Sequence, residues 1–177
     1  MVEYKNPKDS KVISIDQVFA NDLNNYDTLF GGVLMKRIDN VASLAARRHA
    51  RVRECVTASI DSIDFLRPIT QSESVCIEAF VSSTGNRSME IFCKVITEDL
   101  VTEERNVAAT AFLTFVALDE ETKRPIAVPG IIPETDEEKY LYESNKKRTA
   151  MRKDRRIHSK ELTTKISVDK PWDEVNR

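Results

Sequence analysis

The stretch FGGVLMKRIDNVASLAARRHA, residues 30–50, decides the fold, because it has the pattern of one long helix. Its apolar residues recur at the spacing of a helix that buries a single stripe, namely Leu34, Ile38, Val41 and Ala45. Two glycines open the stretch, and the positive residues at its carboxyl end suit the helix dipole. We therefore predict a central helix with one face against a sheet.

Outside this helix the apolar residues recur at every second position, which is the period of a half-buried strand. This alternation predicts strands over residues 55–65, 74–82 and 88–97. A longer β-branched and aromatic run predicts a fourth strand over residues 106–118, and residues 11–19 are a plausible first strand before the helix. The short connections favour antiparallel pairing, so the predicted fold class is α+β. A single helix covers only part of a five-stranded sheet, so we also expect an obligate oligomer.

Length and composition exclude several classes of protein. The 177 residues, 41% of them hydrophobic, predict one compact domain with a tail, and a net charge of −2 gives no global field that favours nucleic acid or an acidic membrane. The chain has neither an apolar run of about 20 residues nor a secretory leader, which predicts a cytoplasmic protein. Three cysteines in apolar stretches are typical of buried thiols, and two isolated histidines predict no metal site.

A proline-punctuated segment, residues 129–133, separates an apolar part from a charged part. We therefore predict a domain over residues 1–133 and a basic helical C-terminal extension over residues 134–177. Thr135 and Glu138 form a capping-box pattern that predicts a helix at the start of this extension. Beyond about His158 the sequence has no strong period, which is typical of a frayed or partner-dependent tail.

The sequence contains none of the common catalytic motifs of serine hydrolases, zinc proteases and P-loop enzymes. The residue that stands out chemically is Asp39, inside the predicted apolar helix. Aspartate is unfavourable inside an apolar helix and is seldom buried without a partner. It lies on a solvated face, pairs with Lys36 or with polar groups near Ser43, or belongs to a site. Gly31 and Gly32 favour a site, since backbone N–H groups at a helix start bind oxygen atoms, although glycines there also allow tight packing on a sheet.

Three segments resemble the hotdog-fold acyl-CoA thioesterases: residues 24–49 (NNYDTLFGGVLMKRIDNVASLAARRH), 56–69 (VTASIDSIDFLRPI) and 83–92 (STGNRSMEIF). The resemblance extends over about residues 10–125. It implies a long helix wrapped by an antiparallel sheet of five or six strands, a C-terminal helical extension, and dimers with the active site at their interface. It also implies a hexamer built as a trimer of dimers.

The resemblance further implies roles for individual residues. Asn24 corresponds to a loop asparagine of the family, Asp39 to its helix carboxylate, Gly32 to the backbone donor of its oxyanion pocket, and Thr57 to a strand hydroxyl near the carboxylate. The chain departs from the family at Asp27, where glycine is common. Substrate and coenzyme A contacts are expected from Phe30, Gly31 and the turn Gly85, Asn86, Arg87 and Ser88, although that turn is also explained as an ordinary hairpin with an exposed arginine.

The implied activity is hydrolysis of a fatty acyl-CoA to a free fatty acid and coenzyme A. Asp39 would act as general base on water, or alternatively as a nucleophile, while Asn24 orients the water or the carbonyl. A thiolate with a conjugate-acid pKa near ~8.5 leaves without a strong general acid. No cofactor is expected, since coenzyme A is part of the substrate and a product.

Two other functions compete with this one. A hotdog module that only senses acyl-CoA is one alternative, but such modules carry a DNA-binding unit, and about ten residues before the first strand leave no room for it. A dehydratase is disfavoured because His49 lies at the wrong end of the helix. The basic segment, residues 146–156, fits a solvated helix face, a phosphate site at a subunit interface or, least well, a nucleic-acid patch.

Overall fold

The computed structural model describes residues 3–168 of the chain. The elements follow in the order β1 (Tyr4–Lys5), α1 (Pro7–Ser10), β2 (Val12–Gln17), a 3-10 turn (Ala20–Asp22), α2 (Gly31–Ala50), β3 (Cys55–Phe65), β4 (Glu73–Thr84), β5 (Ser88–Asp99), β6 (Arg105–Ala117), β7 (Gly130–Ile131) and α3 (Asp136–Thr163). The predicted central helix and all five predicted strands are confirmed. The two-residue strands and the four-residue helix were not predicted, because they are too short for a period to be visible.

The main sheet has five antiparallel strands in the order β2-β4-β5-β6-β3, and a separate parallel pair joins β1 to β7. This confirms the α+β class and the predicted helix-on-sheet arrangement. β2 and β3 are the two edges of the main sheet, and both are mostly exposed. The chain on its own therefore leaves two strand edges unpaired.

The core lies between α2 and the inner face of the sheet. All four residues of the predicted helix stripe are buried in it, and so are the alternating residues of β4 and β5. Ala42, Ala45 and Ala46 have no solvent exposure at all. Small side chains at these positions let the strands approach the helix closely, which is why one helix can lie inside a curved sheet.

A second, smaller cluster covers part of the outer face of the sheet. Phe80, Phe92 and Leu141 are buried in it, and the ring centroids of Phe80 and Phe92 lie 5.7 Å apart in an edge-to-face arrangement. The predicted capping box is confirmed: the Thr135 Oγ1 accepts a hydrogen bond from the Glu138 N–H at 3.2 Å, and a Glu138 carboxylate oxygen accepts one from the Thr135 N–H at 3.0 Å.

Two compact units are distinguished by their contacts, Met1–Tyr142 and Glu143–Arg177. Their division falls later than the predicted boundary after residue 133, because the first turns of α3 pack through Leu141 onto the sheet. Within the second unit α3 continues to Thr163, so residues just beyond His158 are helical and the prediction of a frayed tail is wrong there. The last nine residues of that predicted tail lie outside the described part of the chain.

The three cysteines are free, as expected, but they differ in burial. Cys93 is buried, whereas Cys55 and Cys76 are only half-buried because they lie on edge or outer-face positions. Burial raises the pKa of the Cys55 thiol to about 11. Among the described residues no helix has the length and apolar content needed to cross a bilayer.

Candidate active site

Asp39 lies in the middle of α2, half-buried, and its carboxylate has a defined partner. The Thr57 hydroxyl of β3 donates a hydrogen bond to the Asp39 Oδ1 at 2.9 Å. These two residues were both predicted from the resemblance, and the fold brings them together. Burial raises the pKa of the Cys93 thiol, and the negative charge of Asp39 raises it further.

The position of Thr57 follows from an irregularity in β3. The pairing of β3 with β6 shifts register between Thr57 and Ser59 and again between Ile60 and Ser62. Each shift inserts one extra residue into the edge strand, which bends the strand and turns the neighbouring side chains. A polar side chain on an exposed edge strand thereby meets the carboxylate of the helix.

Asn24 lies in a tight loop between the 3-10 turn and α2. Its side-chain oxygen accepts hydrogen bonds from the N–H groups of Tyr26 at 2.8 Å and Thr28 at 3.3 Å, and its Nδ2 donates to the Thr28 Oγ1 at 2.9 Å. The Asn24 N–H also donates to the Thr28 carbonyl at 2.8 Å. Asn24 is therefore held by its own loop.

Asp27 is the position at which this loop departs from the family pattern, in which glycine is common. Its φ of 56° lies in the left-handed region, which glycine adopts freely and aspartate tolerates better than most residues. The chain thus keeps the conformation that glycine would give.

The Asn24 loop is anchored on both sides. The Arg37 guanidinium of α2 donates to an Asp22 carboxylate oxygen at 2.7 Å, at the start of the loop. At the other end, the Leu29 N–H donates to the Ile69 carbonyl at 2.8 Å. Sequence reasoning missed Arg37, although its place two residues before Asp39 and its opposite charge to Asp22 were visible.

A cavity of about 420 Å³ opens beside this loop, within the size range of ligand pockets. Polar and apolar side chains share its walls, among them Asn24, Thr28, Leu29, Phe65, Leu66 and Arg67. The Arg67 guanidinium is held by Glu73 at 3.1 Å, which fixes this wall. Gly31, one of the predicted substrate contacts, also lines the cavity, and an added Cβ there would touch the Phe65 ring at 3.4 Å.

Gly32 lies in the first turn of α2, where backbone N–H groups have no intrahelical acceptor. Among residues 3–168 the Gly32 N–H has no other acceptor either. A Cβ at this position would lie 2.6 Å from a ring carbon of Phe30, which is itself exposed. Glycine keeps this helix start open beside the Phe30 ring.

The turn Gly85 to Ser88 lies elsewhere in the chain. It joins β4 to β5, closed by a hydrogen bond from the Gly85 N–H to the Ser88 carbonyl at 2.8 Å. The strand register places it at the sheet end where β3 begins, whereas the Asn24 loop contacts Thr70 at the opposite end. The predicted coenzyme A turn and the cavity are therefore separated within one chain.

Asn24 and Asp39 are likewise not joined by a hydrogen bond within residues 3–168. Asp39 and Thr57 form one group of predicted residues, while Asn24 and Gly31 form another at the cavity. Both groups contact β3, the first at Thr57 and the second at Phe65. These two residues are separated along the strand by about 26 Å of extended chain, at about 3.3 Å per residue. One chain thus presents two partial sites.

The thioesterase superfamily model matches residues 26–104. Over 165 residues the chain is 53% identical to the uncharacterized acyl-CoA thioester hydrolase YkhA of Bacillus subtilis (strain 168). The matched region covers 93% of this chain and 95% of that relative. The chain is 38% identical to the cytosolic acyl coenzyme A thioester hydrolase of Rattus norvegicus over 144 residues, and spans 37% of that protein's length.

Two solved structures are similar along nearly their whole length. The acyl-CoA hydrolase of Staphylococcus aureus in complex with butyryl coenzyme A, coenzyme A and coenzyme A disulfide is 42% identical, with a TM-score of 0.87 over 91% of this chain and 97% of that one. It has also been solved with an aspartate, an asparagine or a threonine replaced by alanine.

A hexameric acyl-CoA thioesterase is 40% identical, with a TM-score of 0.84 over 87% of this chain and 97% of that one. Identity of this order along nearly complete chains establishes the family, and the fold of these relatives is the helix-in-sheet arrangement described above. The chain is therefore a hotdog-fold thioester hydrolase and belongs to the acyl-CoA thioesterase family.

Proposed function

We propose that the protein hydrolyses fatty acyl-CoA to a free fatty acid and coenzyme A, with Asp39 as the general base. The observation that carries this proposal is the hydrogen bond between Asp39 and Thr57, which fixes a helix carboxylate beside an exposed strand edge. A carboxylate held by one hydroxyl keeps its second oxygen available for water. The Asp39 carboxylate removes a proton from that water as it attacks the thioester carbonyl carbon, and the coenzyme A thiolate leaves.

The developing oxyanion needs donors, and two are available in the chain. The Gly32 N–H has the positive end of the α2 dipole behind it, and the Asn24 amide lines the cavity. Losing one donor of this kind lowers the rate by about 10² to 10³. The reaction uses water as its only co-reactant, and the proposal includes no metal and no cofactor.

We propose that the two partial sites are completed across a dimer. β3 is an exposed edge strand, and a two-fold axis that pairs two such edges runs them antiparallel. The Thr57 end of one β3 then lies beside the Phe65 end of the other. This brings the cavity and the Asn24 loop of one protomer towards Asp39 and Thr57 of its partner.

Two comparisons support these assignments. The three residue types replaced by alanine in the Staphylococcus aureus hydrolase are the types proposed here, and its asparagine and aspartate are fifteen positions apart, as are Asn24 and Asp39. That hydrolase was solved with coenzyme A compounds. A hexameric relative also supports a trimer of such dimers, in line with the obligate oligomer expected for this chain.

Coenzyme A contacts are proposed for Phe30, Gly31 and the turn Gly85, Asn86, Arg87 and Ser88. The turn is mostly exposed, and within residues 3–168 the Arg87 guanidinium has no ion-pair partner, which suits a phosphate ligand. A two-fold axis also exchanges the two ends of the sheet. The turn of one protomer is thereby brought to the end of the dimer that holds the other protomer's cavity.

Free thiol released from an acyl-CoA tests the activity directly, measured with a thiol-reactive dye. We expect Asp39→Ala and Asn24→Ala to lower the rate by at least about 10² while size-exclusion chromatography shows an unchanged oligomer. Wild-type rates in both variants would refute the assignment of the site. Retention of ligand without turnover by the wild-type protein would instead support the sensing module.

A further inference from the structure

The hydrogen bonds of the Asn24 side chain determine which end of its amide is the oxygen. Backbone N–H groups only donate, so the atom that receives the Tyr26 and Thr28 N–H groups, at 2.8 and 3.3 Å, must be the carbonyl oxygen. A carbonyl oxygen has two lone pairs. The Thr28 hydroxyl also lies within hydrogen-bond distance of this oxygen, at 3.2 Å. The loop therefore occupies both lone pairs, which leaves this oxygen without capacity to accept a hydrogen bond from water.

The nitrogen of the same amide retains one free donor. One Nδ2–H is taken by the Thr28 Oγ1 at 2.9 Å, and in the described part of the chain the other has no acceptor. Asn24 and Thr28 both line the 420 Å³ cavity. The only hydrogen-bonding capacity that Asn24 can offer a ligand there is thus a single N–H.

We propose that Thr28 is a positioning residue, which holds the Asn24 amide as a hydrogen-bond donor to the thioester carbonyl oxygen. This inference rests on the proposed function of Asn24. Thr28 contacts both ends of the amide. Its hydroxyl lies 2.9 Å from the nitrogen and 3.2 Å from the oxygen, and its N–H donates to the oxygen at 3.3 Å. Because its carbonyl also accepts the Asn24 N–H at 2.8 Å, it fixes the backbone of Asn24 as well.

Thr28 is itself held from outside the loop. It forms a bridge to Thr70, and the adjacent Leu29 N–H donates to the Ile69 carbonyl at 2.8 Å. These backbone contacts do not depend on the side chain at position 28. Removing the hydroxyl therefore frees the Asn24 nitrogen while leaving the loop anchored.

If Asn24 acts as a hydrogen-bond donor, activation of the attacking water is left to Asp39. An asparagine that oriented the attacking water through its oxygen would need a free lone pair, and the loop provides none. Asn24 then polarises the carbonyl, and Asp39 alone activates the water. Thr28 affects the rate through Asn24 and not through contact with the water.

The test measures kcat and KM for acyl-CoA hydrolysis by Thr28→Val, Thr28→Ser, Asn24→Ala and the double variant Thr28→Val with Asn24→Ala. We expect Thr28→Val to lower kcat about tenfold, the rate equivalent of one hydrogen bond, with little change in KM. Thr28→Ser keeps the hydroxyl and should stay within about twofold of wild type. In the Asn24→Ala background, Thr28→Val should have no further effect, because its target is gone.

Several results would overturn the inference. One is a wild-type kcat for Thr28→Val while Asn24→Ala is impaired; another is an equal loss from Thr28→Val with and without Asn24. Asn24→Asp provides an independent test, because it replaces the donor N–H by an acceptor oxygen. Its kcat should be lowered as much as that of Asn24→Ala. Activity in Asn24→Asp would show an acceptor role. A wild-type rate for Asn24→Ala would instead refute the proposed function, on which the inference rests.

Discussion

His49 is a fully buried histidine at the carboxyl end of α2, far along the helix from Asp39. Its Nε2–H donates to the Pro129 carbonyl at 2.9 Å, and among residues 3–168 its Nδ1 has no hydrogen-bond partner. Lys5 donates to the His49 carbonyl at 2.9 Å, so a cation lies nearby. The ring joins the end of the helix to the segment before β7 in its neutral form.

The pKa of His49 lies below its ordinary value of 6.5, because burial disfavours the charged ring, and the hydrogen bond to Pro129 only partly opposes this. Between the two pKa values the unfolded chain binds the proton and the folded chain does not. The stabilisation is therefore complete above about pH 6.5 and is lost as the pH falls towards the folded-state pKa.

We expect the urea concentration at the unfolding midpoint of the wild-type protein, at fixed protein concentration, to decrease as the pH is lowered from 7.5 to 5.5. His49→Gln keeps a side-chain N–H for Pro129 without titrating, so its midpoint should change less over the same range. An equal change in both proteins would show that His49 is not the group responsible.

At the residue scale, the sequence identified the carboxylate but not its surroundings. Asp39 stood out because a charge inside an apolar helix is unfavourable, and Thr57 came only from the resemblance. Thr28 carried no signal of its own, since a threonine near a turn is ordinary. Its importance depends on the loop geometry, which is a tertiary property.

Arg37 and Asp22 join two elements, because the guanidinium of α2 reaches the 3-10 turn that precedes the Asn24 loop. Their side chains are 17% and 22% exposed, so the pair is largely removed from water. The same guanidinium also donates to the Gln17 carbonyl at the end of β2. Breaking the pair leaves a half-buried carboxylate without its cation.

We expect Arg37→Met to lower the free energy of unfolding by about 1–3 kcal/mol and to lower kcat, because the Asn24 loop loses an anchor. Lys8→Met is the matched control, since Lys8 pairs with Glu134 at 2.7 Å on an exposed surface. Chemical unfolding and steady-state kinetics measure both effects. A loss in Arg37→Met no larger than in Lys8→Met would contradict this assignment.

At the element scale, periodicity predicted the long helix and five strands because each buries one face over many residues. The alternation of β4, with Val75, Ile77 and Val81 all in the core, shows the signal at its clearest. The bulges of β3 could not be predicted, because this exposed edge strand has no strict alternation of buried and exposed residues that an extra residue would visibly interrupt. They nevertheless determine where Thr57 lies.

The whole molecule is expected to be a composite of two chains, and mixing experiments test this. Asn24→Ala and Asp39→Ala each remove one half of every site. If the halves come from different protomers, a mixed dimer has one site with both residues intact and one with neither. Co-refolding equal amounts should then restore up to about a quarter of the wild-type rate by random pairing of protomers.

Refolding each variant alone is the control for this mixture. Sites formed within one chain would give no recovery, because every site would still lack one residue. The wild-type protein, taken through the same refolding step, sets the reference rate. Recovery far below the expected fraction, with mixed dimers demonstrated by mass spectrometry, would contradict the composite site.

At this scale, the sequence indicated that partners are needed but not where they meet. A single helix over five strands leaves apolar surface, and this indicated an oligomer. Which edge pairs depends on exposure and on the bulges, and both appear only in three dimensions. The separation of Asn24 from Asp39 could not be predicted from a spacing of fifteen residues.

The exposed β2 edge has a consequence of its own. If two chains join through β3, their sheets merge into one with a β2 strand at each extremity. Ile13 and Ile15 are 56% and 70% exposed there. An exposed apolar edge strand has unpaired backbone groups with which the strand of another molecule can pair, and repeated pairing leads to fibres. The charges of Lys11 and Asp16 flank these isoleucines, and such flanking charges act as gatekeepers against runaway polymerisation.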